Sequence, residues 1–195
     1  MRIKGALAGI LFCFGVACSS SKEEARRELG LMGLSFTPNA FINSVSNGDE
    51  VGVKLFLDAG MSPDTEGTAM TYIPGRGEIP WEFNALSLAL QSGHGSVANL
   101  LLDRGADVNA RDKYGTPPIF YALSGLIWRN EESALDLVKK LIDKGANVNL
   151  ADNRGVMPLD IAKEAQRDNK GVTERQDVVN LLENAGAKGS GKIVR

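Results

Sequence analysis

The stretch LLDRGADVN, Leu101–Asn109, returns as LIDKGANVN at Leu141–Asn149, and a weaker copy, LLENAGAK, begins at Leu181. Each copy joins the apolar end of a helix-forming segment to a glycine and a short polar turn. Glycine in this place suits the left-handed residue that follows a helix, a conformation that residues with a Cβ atom adopt only at a cost. A segment that recurs along one chain is typical of repeat architectures, in which every copy builds the same structural unit.

Four glycines end four similar units of helix, turn, helix and extended tip: Gly60, Gly105, Gly145 and Gly186. A polar cap or a proline at the first helical position favours a helix start. These signals predict that the first helix of each unit begins near Pro38, Asn84, Pro118 and Pro158. A single pair of short helices cannot bury its own apolar face, so we expect the units to stack and share one core.

The passages NALSLALQSGHGSVANLLLDRGADVNARDKYG and VNLADNRGVMPLDIAKEA resemble the ankyrin repeat. The family pattern reads roughly D-x-x-G-x-T-P-L-H-x-A, then G-H, then V-V-x-L-L, then G-A-D-V-N. The resemblance covers about Phe36 to Ala187 and implies an all-α fold, an ankyrin-repeat solenoid of about four stacked helix-turn-helix units with enlarged loops. The units are expected near residues 36–64, 65–109, 110–149 and 150–187.

These units are longer than the family unit, because their glycines lie farther apart than the about 33 residues of an ankyrin repeat. The first excess, TEGTAMTYIPGRGEIPWEF at residues 65–83, is rich in Gly and Pro and is expected to be an enlarged finger tip. The later excesses, GLIWRNEES and QRDNKGVTER, are expected to lengthen the helices or the loop between them. Insertions in repeat proteins map to exposed loops, often on a binding face.

Residues 1–17 are predicted to be an export signal peptide. Arg2 and Lys4 give a positively charged start, and the segment that follows them is almost entirely apolar or small. It is shorter than the about 20 residues that a helix needs to cross a bilayer, so a cleaved signal is favoured over a permanent membrane helix. Residues 18–35 would then form a lipidated tether and a short lead-in helix.

The sequence Gly15-Val16-Ala17-Cys18 resembles a bacterial lipobox, in which small residues precede a cysteine that is lipidated and becomes the new N-terminus. Gly15 stands where that family usually has leucine. Lipidation of Cys18 would anchor the protein to a membrane of the bacterial cell envelope, on its periplasmic side. Ordinary cleavage, which would give a soluble periplasmic protein, is the alternative. Cys13 would be removed with the signal, so no internal disulfide is expected.

The insertions also carry the residues that are predicted to bind a partner protein. Aromatic residues and arginine dominate the hot spots of protein interfaces when they are exposed. The alternative is that each tryptophan ring folds back and covers its own loop. The candidates are Tyr72, Arg76, Trp81 and Phe83 in the first insertion, and Trp128 and Arg129 in the second.

The sequence offers little for catalysis, metals, nucleotides or nucleic acids. His94 is the only histidine and matches the Gly-His turn of the family, so it is interpreted as structural, and no metal site or cofactor is expected. The formal net charge of −2 disfavours nucleic acid, which attracts a basic surface. Gly186–Lys192 fits G-x-x-x-x-G-K, but Ile193 stands where a phosphate loop needs Ser or Thr, so no nucleotide is expected. Residues 188–195 are interpreted as a flexible tail.

Together these features predict a non-catalytic protein-protein interaction module that is exported to the bacterial periplasm as a lipoprotein. Its partner would be another protein, and it would touch a membrane only through the N-terminal lipid. Two alternatives stay open. One is an immunity or inhibitor protein against a periplasm-acting toxin, and the other is an enzyme that uses the repeat as a frame.

Overall fold

The computed structural model describes residues 21–73, 77–128, 133–167 and 173–191. Within them the chain forms helices and one pair of strands. The helices are α1 (21–31), α2 (Pro38–Ser46), α3 (Glu50–Asp58), α4 (Ala85–Ser92), α5 (Gly95–Asp103), α6 (Pro118–Trp128), α7 (Ser133–Asp143), α8 (Pro158–Arg167) and α9 (Thr173–Asn184). The strands are β1 (Glu66–Ile73) and β2 (Gly77–Asn84), which lie between α3 and α4.

Helices α2 to α9 stack as four pairs, in which α2 contacts α3, α4 contacts α5, α6 contacts α7 and α8 contacts α9. The first helix of each pair contacts the first helix of the next pair, and the second helices do the same, so the stack has two layers. This arrangement confirms the predicted solenoid of paired helices. The turn glycines Gly60, Gly105, Gly145 and Gly186 all have positive φ angles, between 82° and 100°.

Apolar side chains fill the space between the two layers. The residue four positions before each turn glycine is fully buried in its second helix: Phe56, Leu101, Leu141 and Leu182. In the first pair, the rings of Phe41 and Phe56 meet edge to face with their centroids 5.6 Å apart. The core is therefore continuous along the stack, as the repeated apolar pattern requires.

Local caps begin the first helices where the sequence predicts. Thr37 Oγ1 accepts a hydrogen bond from the backbone N–H of Ala40 at 3.3 Å, and Pro38 is the first helical residue. Asn84 Oδ1 accepts a hydrogen bond from the backbone N–H of Ser87 at 2.7 Å. Each cap satisfies a backbone donor that has no partner inside the helix.

The first insertion, expected to be an enlarged finger tip, forms a β-hairpin. Strands β1 and β2 pair antiparallel from Glu66 opposite Asn84 to Ile73 opposite Gly77. They form the only sheet in the part of the chain that the structure describes, so the frame is all-α and this element is the exception. Its glycine and proline content pointed to a loop, but Pro80 lies in an edge strand, where a missing N–H group is tolerated.

One face of this hairpin packs on the helices. Gly67 lies opposite Phe83 and Ala69 lies opposite Trp81, so small residues of β1 meet aromatic residues of β2. Ala69 and Phe83 are buried. Gly67 lets β1 approach α2 closely, because a Cβ atom at this position would lie 2.7 Å from Cγ1 of Ile42.

The later insertions lengthen helices, which is one of the two predicted outcomes. Helices α6 and α7 have 11 residues each, and α8 and α9 have 10 and 12. The corresponding helices of the second unit, α4 and α5, have 8 and 9. Residues 129–132 and 168–172, which join the lengthened helices, lie outside the described residues.

Helix α1 covers the first end of the stack, as the predicted lead-in helix would. Ala25 and Leu29 are buried, and the guanidinium carbon of Arg26 lies 4.6 Å from the ring centroid of Phe36. The predicted signal peptide and Cys18 lie outside the described residues. Among the helices that the structure describes, none combines the length and the apolar composition needed to cross a bilayer.

At the other end of the stack, residues 188–191 of the expected flexible tail are held against α8. The backbone N–H of Ser190 donates to both carboxylate oxygens of Asp160, at 3.0 and 3.1 Å, and the N–H of Gly191 donates to Oδ1 at 3.2 Å. Burial alone would raise the pKa of Asp160, but the hydrogen bond from the Ser190 hydroxyl, together with those from the backbone N–H groups of Met157, Ser190 and Gly191, lowers the pKa below its usual value. Asp160 therefore stays ionised and holds this end of the chain.

Candidate protein-binding cleft

One polar position in each turn joins neighbouring units along their tips. Asn109 Oδ1 accepts a hydrogen bond from the backbone N–H of Asn147 at 2.7 Å, and its Nδ2 donates to the carbonyl oxygen of Gly145 at 3.1 Å. Asn149 makes the same two bonds to the next turn, at 2.7 and 3.0 Å. In the first turn, Asp64 accepts the corresponding bond at 2.7 Å. This ladder fixes the spacing of the turns, so the tips that follow them are presented on a rigid support.

Two tips are built around a carboxylate that is held by its own turn. In the third tip, residues 112–115, Asp112 Oδ1 accepts hydrogen bonds from the backbone N–H groups of Tyr114 and Thr116, both at 2.8 Å. In the fourth tip, residues 152–155, Asp152 Oδ1 accepts the corresponding two bonds, both at 2.9 Å. The hairpin takes the place of the second tip.

The second oxygen of each carboxylate binds a larger side chain. The Tyr121 hydroxyl donates to Asp112 Oδ2 at 2.6 Å, and Arg154 Nε donates to Asp152 Oδ2 at 2.9 Å. Burial raises the pKa of Tyr121, and the hydrogen bond to Asp112 raises it further, so the hydroxyl stays protonated. Burial would also raise the pKa of Asp152, but hydrogen bonds from Val156 and Arg154 lower it below its usual value, so this carboxylate stays ionised.

Four aromatic rings connect the hairpin to the third tip and to α6. Trp81 stacks on Phe83 with centroids 6.1 Å apart, and its ring lies 4.5 Å from that of Tyr114. Phe83 meets Tyr121 edge to face at 5.9 Å. Lys113 Nζ lies 5.2 Å from the Trp81 centroid and 5.3 Å from the Tyr114 centroid, in range of a cation–π contact with both rings.

A cleft of about 390 Å³ lies between the hairpin and the third and fourth tips. Tyr114 is 45% exposed and the Arg154 side chain is 66% exposed, so solvent reaches both. The indole nitrogen of Trp81 is buried and has no hydrogen-bond acceptor within the described part of the chain. The residues that line the cleft are Trp81, Tyr114, Thr116, Tyr121, Asp152, Asn153 and Arg154.

The predicted partner-binding residues of the first insertion that the structure describes take different positions in the hairpin. Trp81 lines the cleft and covers part of the neighbouring tip, so its ring packs and remains partly exposed. Phe83 is only 2% exposed, so it supports the cleft from behind and cannot form its surface. Tyr72 pairs with Glu78 near the turn of the hairpin, and Arg76 lies outside the described residues.

Of the residues predicted in the second insertion, the structure gives a helix position for Trp128. Trp128 is the last residue of α6, whereas Tyr121 is near its start. At a rise of about 1.5 Å per residue these two positions are about 10 Å apart along the helix. Arg129 lies outside the described residues.

Sequence reasoning missed the third and fourth tips as suppliers of cleft residues. Tyr114 and Arg154 both stand directly before the glycine of D-x-x-G, at 112–115 and 152–155, so comparison of the two units could have paired them. Lys113 stands one position earlier. Tyr121 carries no local signal, because its contacts with Asp112 and Phe83 appear only when the chain is folded.

His94 has a structural contact, in agreement with its sequence interpretation. Its Nε2 lies 2.9 Å from the carbonyl oxygen of Ser46, at the end of α2. The ring also packs beside Gly48, where a Cβ atom would lie 2.6 Å from Nδ1. The histidine therefore links the turn between α4 and α5 to the preceding unit.

A metal site and a phosphate-binding loop can both be compared with the geometry. Within residues 21–73, 77–128, 133–167 and 173–191, no group of three or more His, Cys, Asp or Glu side chains is placed to hold a metal ion. The G-x-x-x-x-G-K segment follows helix α9, whereas a phosphate loop follows a strand. Its Ser190 and Gly191 N–H groups bind the Asp160 carboxylate.

Comparison with known proteins agrees with this architecture. The family model described as Ankyrin repeats (3 copies) matches residues 44–152 and 86–190. No curated protein matches the chain significantly. The family match spans most of the chain, from the end of α2 to the residues after α9. This chain belongs to the ankyrin repeat family.

Proposed function

We propose that this protein is a non-catalytic protein-binding module of the bacterial cell envelope, exported to the periplasm and anchored by a lipid on Cys18. Ankyrin repeats indicate a protein-protein interaction module, and this general function is the basis of the proposal. The partner is another protein. Neither a nucleotide, a nucleic acid nor a cofactor is part of the proposed activity.

The cleft between the hairpin and the third and fourth tips is the observation that carries the binding proposal. It combines a partly exposed tryptophan, an exposed tyrosine and an exposed arginine: Trp81, Tyr114 and Arg154. These are the residue types that contribute most at protein interfaces. The hydrogen bonds within the tips hold the cleft in shape before a partner arrives, so binding would cost little ordering of the protein.

The N-terminal sequence supports the export proposal. A positive start, a short apolar segment and small residues before Cys18 are the features of a lipoprotein signal. Helix α1 is already present at residue 21 and packs on the first helix pair. Only two residues separate residue 21 from Cys18, so the start of α1 would lie at most about 11 Å from the anchor.

Site-specific photo-crosslinking in the native envelope tests the binding proposal. A photoreactive amino acid replaces Tyr114 in the cleft, and a matched protein carries it at Lys139, an exposed position of α7. We expect a discrete crosslinked protein from position 114 and none from position 139. The same bands from both positions, or no band from either, would contradict binding through the cleft.

The anchor is tested separately. Mass measurement of the mature N-terminus should show a chain that begins at a lipid-modified Cys18 and partitions with the membrane fraction. Cys18→Ser should abolish the modification and the partitioning. A mature chain that begins after an unmodified cleavage site would leave the binding proposal standing and remove the lipid anchor from it.

A further inference from the structure

The hairpin is a sheet of two strands, so each of its strands has an outer edge. At the base of the hairpin, the N–H of Ala85 donates to the carbonyl oxygen of Thr65 at 3.1 Å, in the same register that pairs β1 with β2. Hydrogen-bonded and non-hydrogen-bonded pairs alternate along an antiparallel ladder. The odd-numbered residues of β1 therefore bond to β2, and the even-numbered residues turn their N–H and carbonyl groups away from it.

The position of Pro80 agrees with this pattern. Pro80 lies opposite Met70, in a pair that makes no hydrogen bond between the strands, so its missing N–H does not weaken the ladder. The proline instead removes a donor from the outer edge of β2. That edge also faces the third tip, where the rings of Trp81 and Tyr114 lie 4.5 Å apart. The outer edge of β2 is therefore poorly suited to pair with a further strand.

The outer edge of β1 is open. The backbone N–H and carbonyl groups of Glu66, Thr68 and Met70 point toward it, and all three residues are exposed. Within the part of the chain that the structure describes, none of these backbone groups has a hydrogen-bond partner. Alternate residues of a strand are about 6.8 Å apart, so the edge presents donors and acceptors at a spacing that an extended chain matches.

Strand β1 also lacks the features by which edge strands avoid pairing. Such strands commonly carry proline, lysine or a bulge, or are covered by another element. Strand β1 has 8 residues, pairs with β2 without a break over its whole length, and contains neither proline nor a basic residue. Its only charged residue, Glu66, stands at its first position. The edge is therefore long and regular enough to take another strand.

A single extended segment fits this edge better than a second copy of the chain does. The inner face of β1 lies on α2, with Gly67 against Ile42. Two copies paired antiparallel through β1 would be related by a two-fold axis perpendicular to the sheet. Such an axis would bring the helices of both copies to the same side of the joined strands, where each copy already has its own α2. An extended segment brings no helices and needs only the edge.

We propose that the outer edge of β1 binds an extended segment of another protein, which joins the hairpin as a third strand. Backbone hydrogen bonds to Thr68 and Met70 supply the affinity. Every second residue of the segment donates its N–H to β1, so none of those residues is proline. Met70 is 60% exposed, so an apolar or β-branched residue of the segment packs beside it. This surface is separate from the cleft beside β2, and the inference goes beyond the proposed role of the cleft.

Amide hydrogen exchange of the free protein tests the edge first. The full chain is purified in detergent, so that any lipid on it is kept, and exchange is followed by NMR at single amides. We expect Gly67 and Ala69 to exchange slowly, because their N–H groups bond to β2, and Thr68 and Met70 to exchange quickly. Slow exchange at Thr68 and Met70 would mean that the protein already covers this edge, and would overturn the inference.

Selection from a phage-displayed library of random dodecapeptides then supplies the probe. The target is the Trp128→Phe protein, in which Trp81 is the single tryptophan, so its emission shows whether each variant keeps the hairpin in place. Enriched peptides are synthesised with an N-methyl group on one residue at a time. We expect methylation to weaken binding by about tenfold at every second residue of the bound stretch and to be tolerated between them. The amides of Thr68 and Met70 should become protected in the complex.

Matched substitutions in the two edges locate the contact. Thr68→Pro removes an outward N–H from β1 and no bond to β2, so it should weaken peptide binding by about tenfold. Glu82→Pro removes the outward N–H of the paired residue on β2 and should change binding by less than about twofold, because the peptide does not use that edge. If Thr68→Pro alters the emission of Trp81, the N-methylated peptides decide, since they leave the protein unchanged.

The inference is overturned if no peptide is enriched, if N-methylation acts without alternation, or if Thr68→Pro and Glu82→Pro weaken binding alike. It is also overturned if the free protein is a dimer that Thr68→Pro makes monomeric, because the edge would then belong to a second copy. None of these results bears on the cleft, which crosslinking from position 114 tests by itself.

Discussion

At the scale of single residues, a few short polar side chains fix how one unit follows the next. Asn109 is the clearest case, because one side chain accepts from the backbone of the next unit and donates to it. Asp64, at the corresponding place in the first turn, has two acceptor oxygens and no donor, so it can make only the accepting bond. The ladder is therefore complete only where the position is asparagine.

Replacing Asn109 with alanine tests the value of this ladder. The change leaves the Asn147 N–H and the Gly145 carbonyl oxygen without their protein partners, so we expect the free energy of unfolding to fall by about 1 to 2 kcal/mol. Urea denaturation measures the change. Asn43→Ala, at an exposed position of α2, is the control and should stay within about 0.5 kcal/mol of the parent. Equal effects of the two substitutions would show that the ladder adds no stability.

Asp160 makes the stability of the C-terminal end depend on pH. Its folded-state pKa lies below the unfolded value of about 3.9. A lowered pKa means that its stabilising contribution is fully present above the unfolded value and is lost as the pH falls through the folded pKa. We expect Asp160→Asn to be less stable than the parent at pH 7, because an amide NH₂ would face the donors of Ser190 and Met157.

The gap in stability between the parent and Asp160→Asn should then shrink as the pH is lowered from 5 to 3. Thermal unfolding across this range measures it. Asp152 also has a lowered pKa, but it is present in both proteins and cancels in the comparison. A gap that is the same at pH 7 and pH 3 would mean that ionised Asp160 does not hold the tail.

At the scale of elements, the hairpin is placed by one close approach. Gly67 lies against the fully buried Ile42, and a Cβ atom would come within 2.7 Å of it. We expect Gly67→Ala to cost about 1 to 3 kcal/mol, as overpacking does, and to move β2 so that Trp81 separates from Tyr114. Urea denaturation gives the first quantity, and Trp81 emission in the Trp128→Phe background reports the second.

The control for this substitution is Gly30→Ala in α1, since no atom lies within 4 Å of the added Cβ. It should leave the protein unchanged or slightly more stable, because alanine favours helix over glycine. If Gly67→Ala is as harmless as Gly30→Ala, the close approach of β1 to α2 does not position the hairpin.

An element of this structure can be predicted from the sequence when its signals are local. The caps Thr37 and Asn84, and the proline at 158, act within one turn of helix, and each helix begins where these signals place it. The sequence located the first insertion as an enlarged finger tip but did not predict its strands, because β1 and β2 stabilise each other across the hairpin, whereas glycine and proline give only local signals. The periodic frame was predictable, and this inserted element was not.

The cleft was predictable only in part, because its residues come from different units and become neighbours only when the chain is folded. Trp81 was identified because its residue type is frequent at interfaces, but it gains its neighbour Tyr114 from the next unit. Tyr121 joins them through Phe83 and Asp112. A surface that is assembled from three units has no signal inside any one of them, although the D-x-x-G repeat shows which positions become neighbours.

At the scale of the whole molecule, the main contacts among the described helix pairs run between consecutive pairs, and each end of the described stack has its own closure. Helix α1 covers one end through Leu29, and the Asp160 contacts hold the other. The cleft lies between them, formed by the second to fourth units. In such a stack, a change at one end alters its own unit most and distant units least.

Leu29→Ala tests this arrangement. Leu29 is fully buried, so its truncation should cost about 2 to 5 kcal/mol where α1 packs, and hydrogen exchange should speed up most in α1, α2 and α3 and least in α8 and α9. Leu31→Ala, two residues along the same helix at a side chain that is 80% exposed, should change neither stability nor exchange appreciably. Because the cleft belongs to later units, Trp81 emission should be kept in both variants. A uniform loss of protection along the stack after Leu29→Ala would instead mean that the units unfold as one body, and that the two ends and the cleft share a single cooperative core.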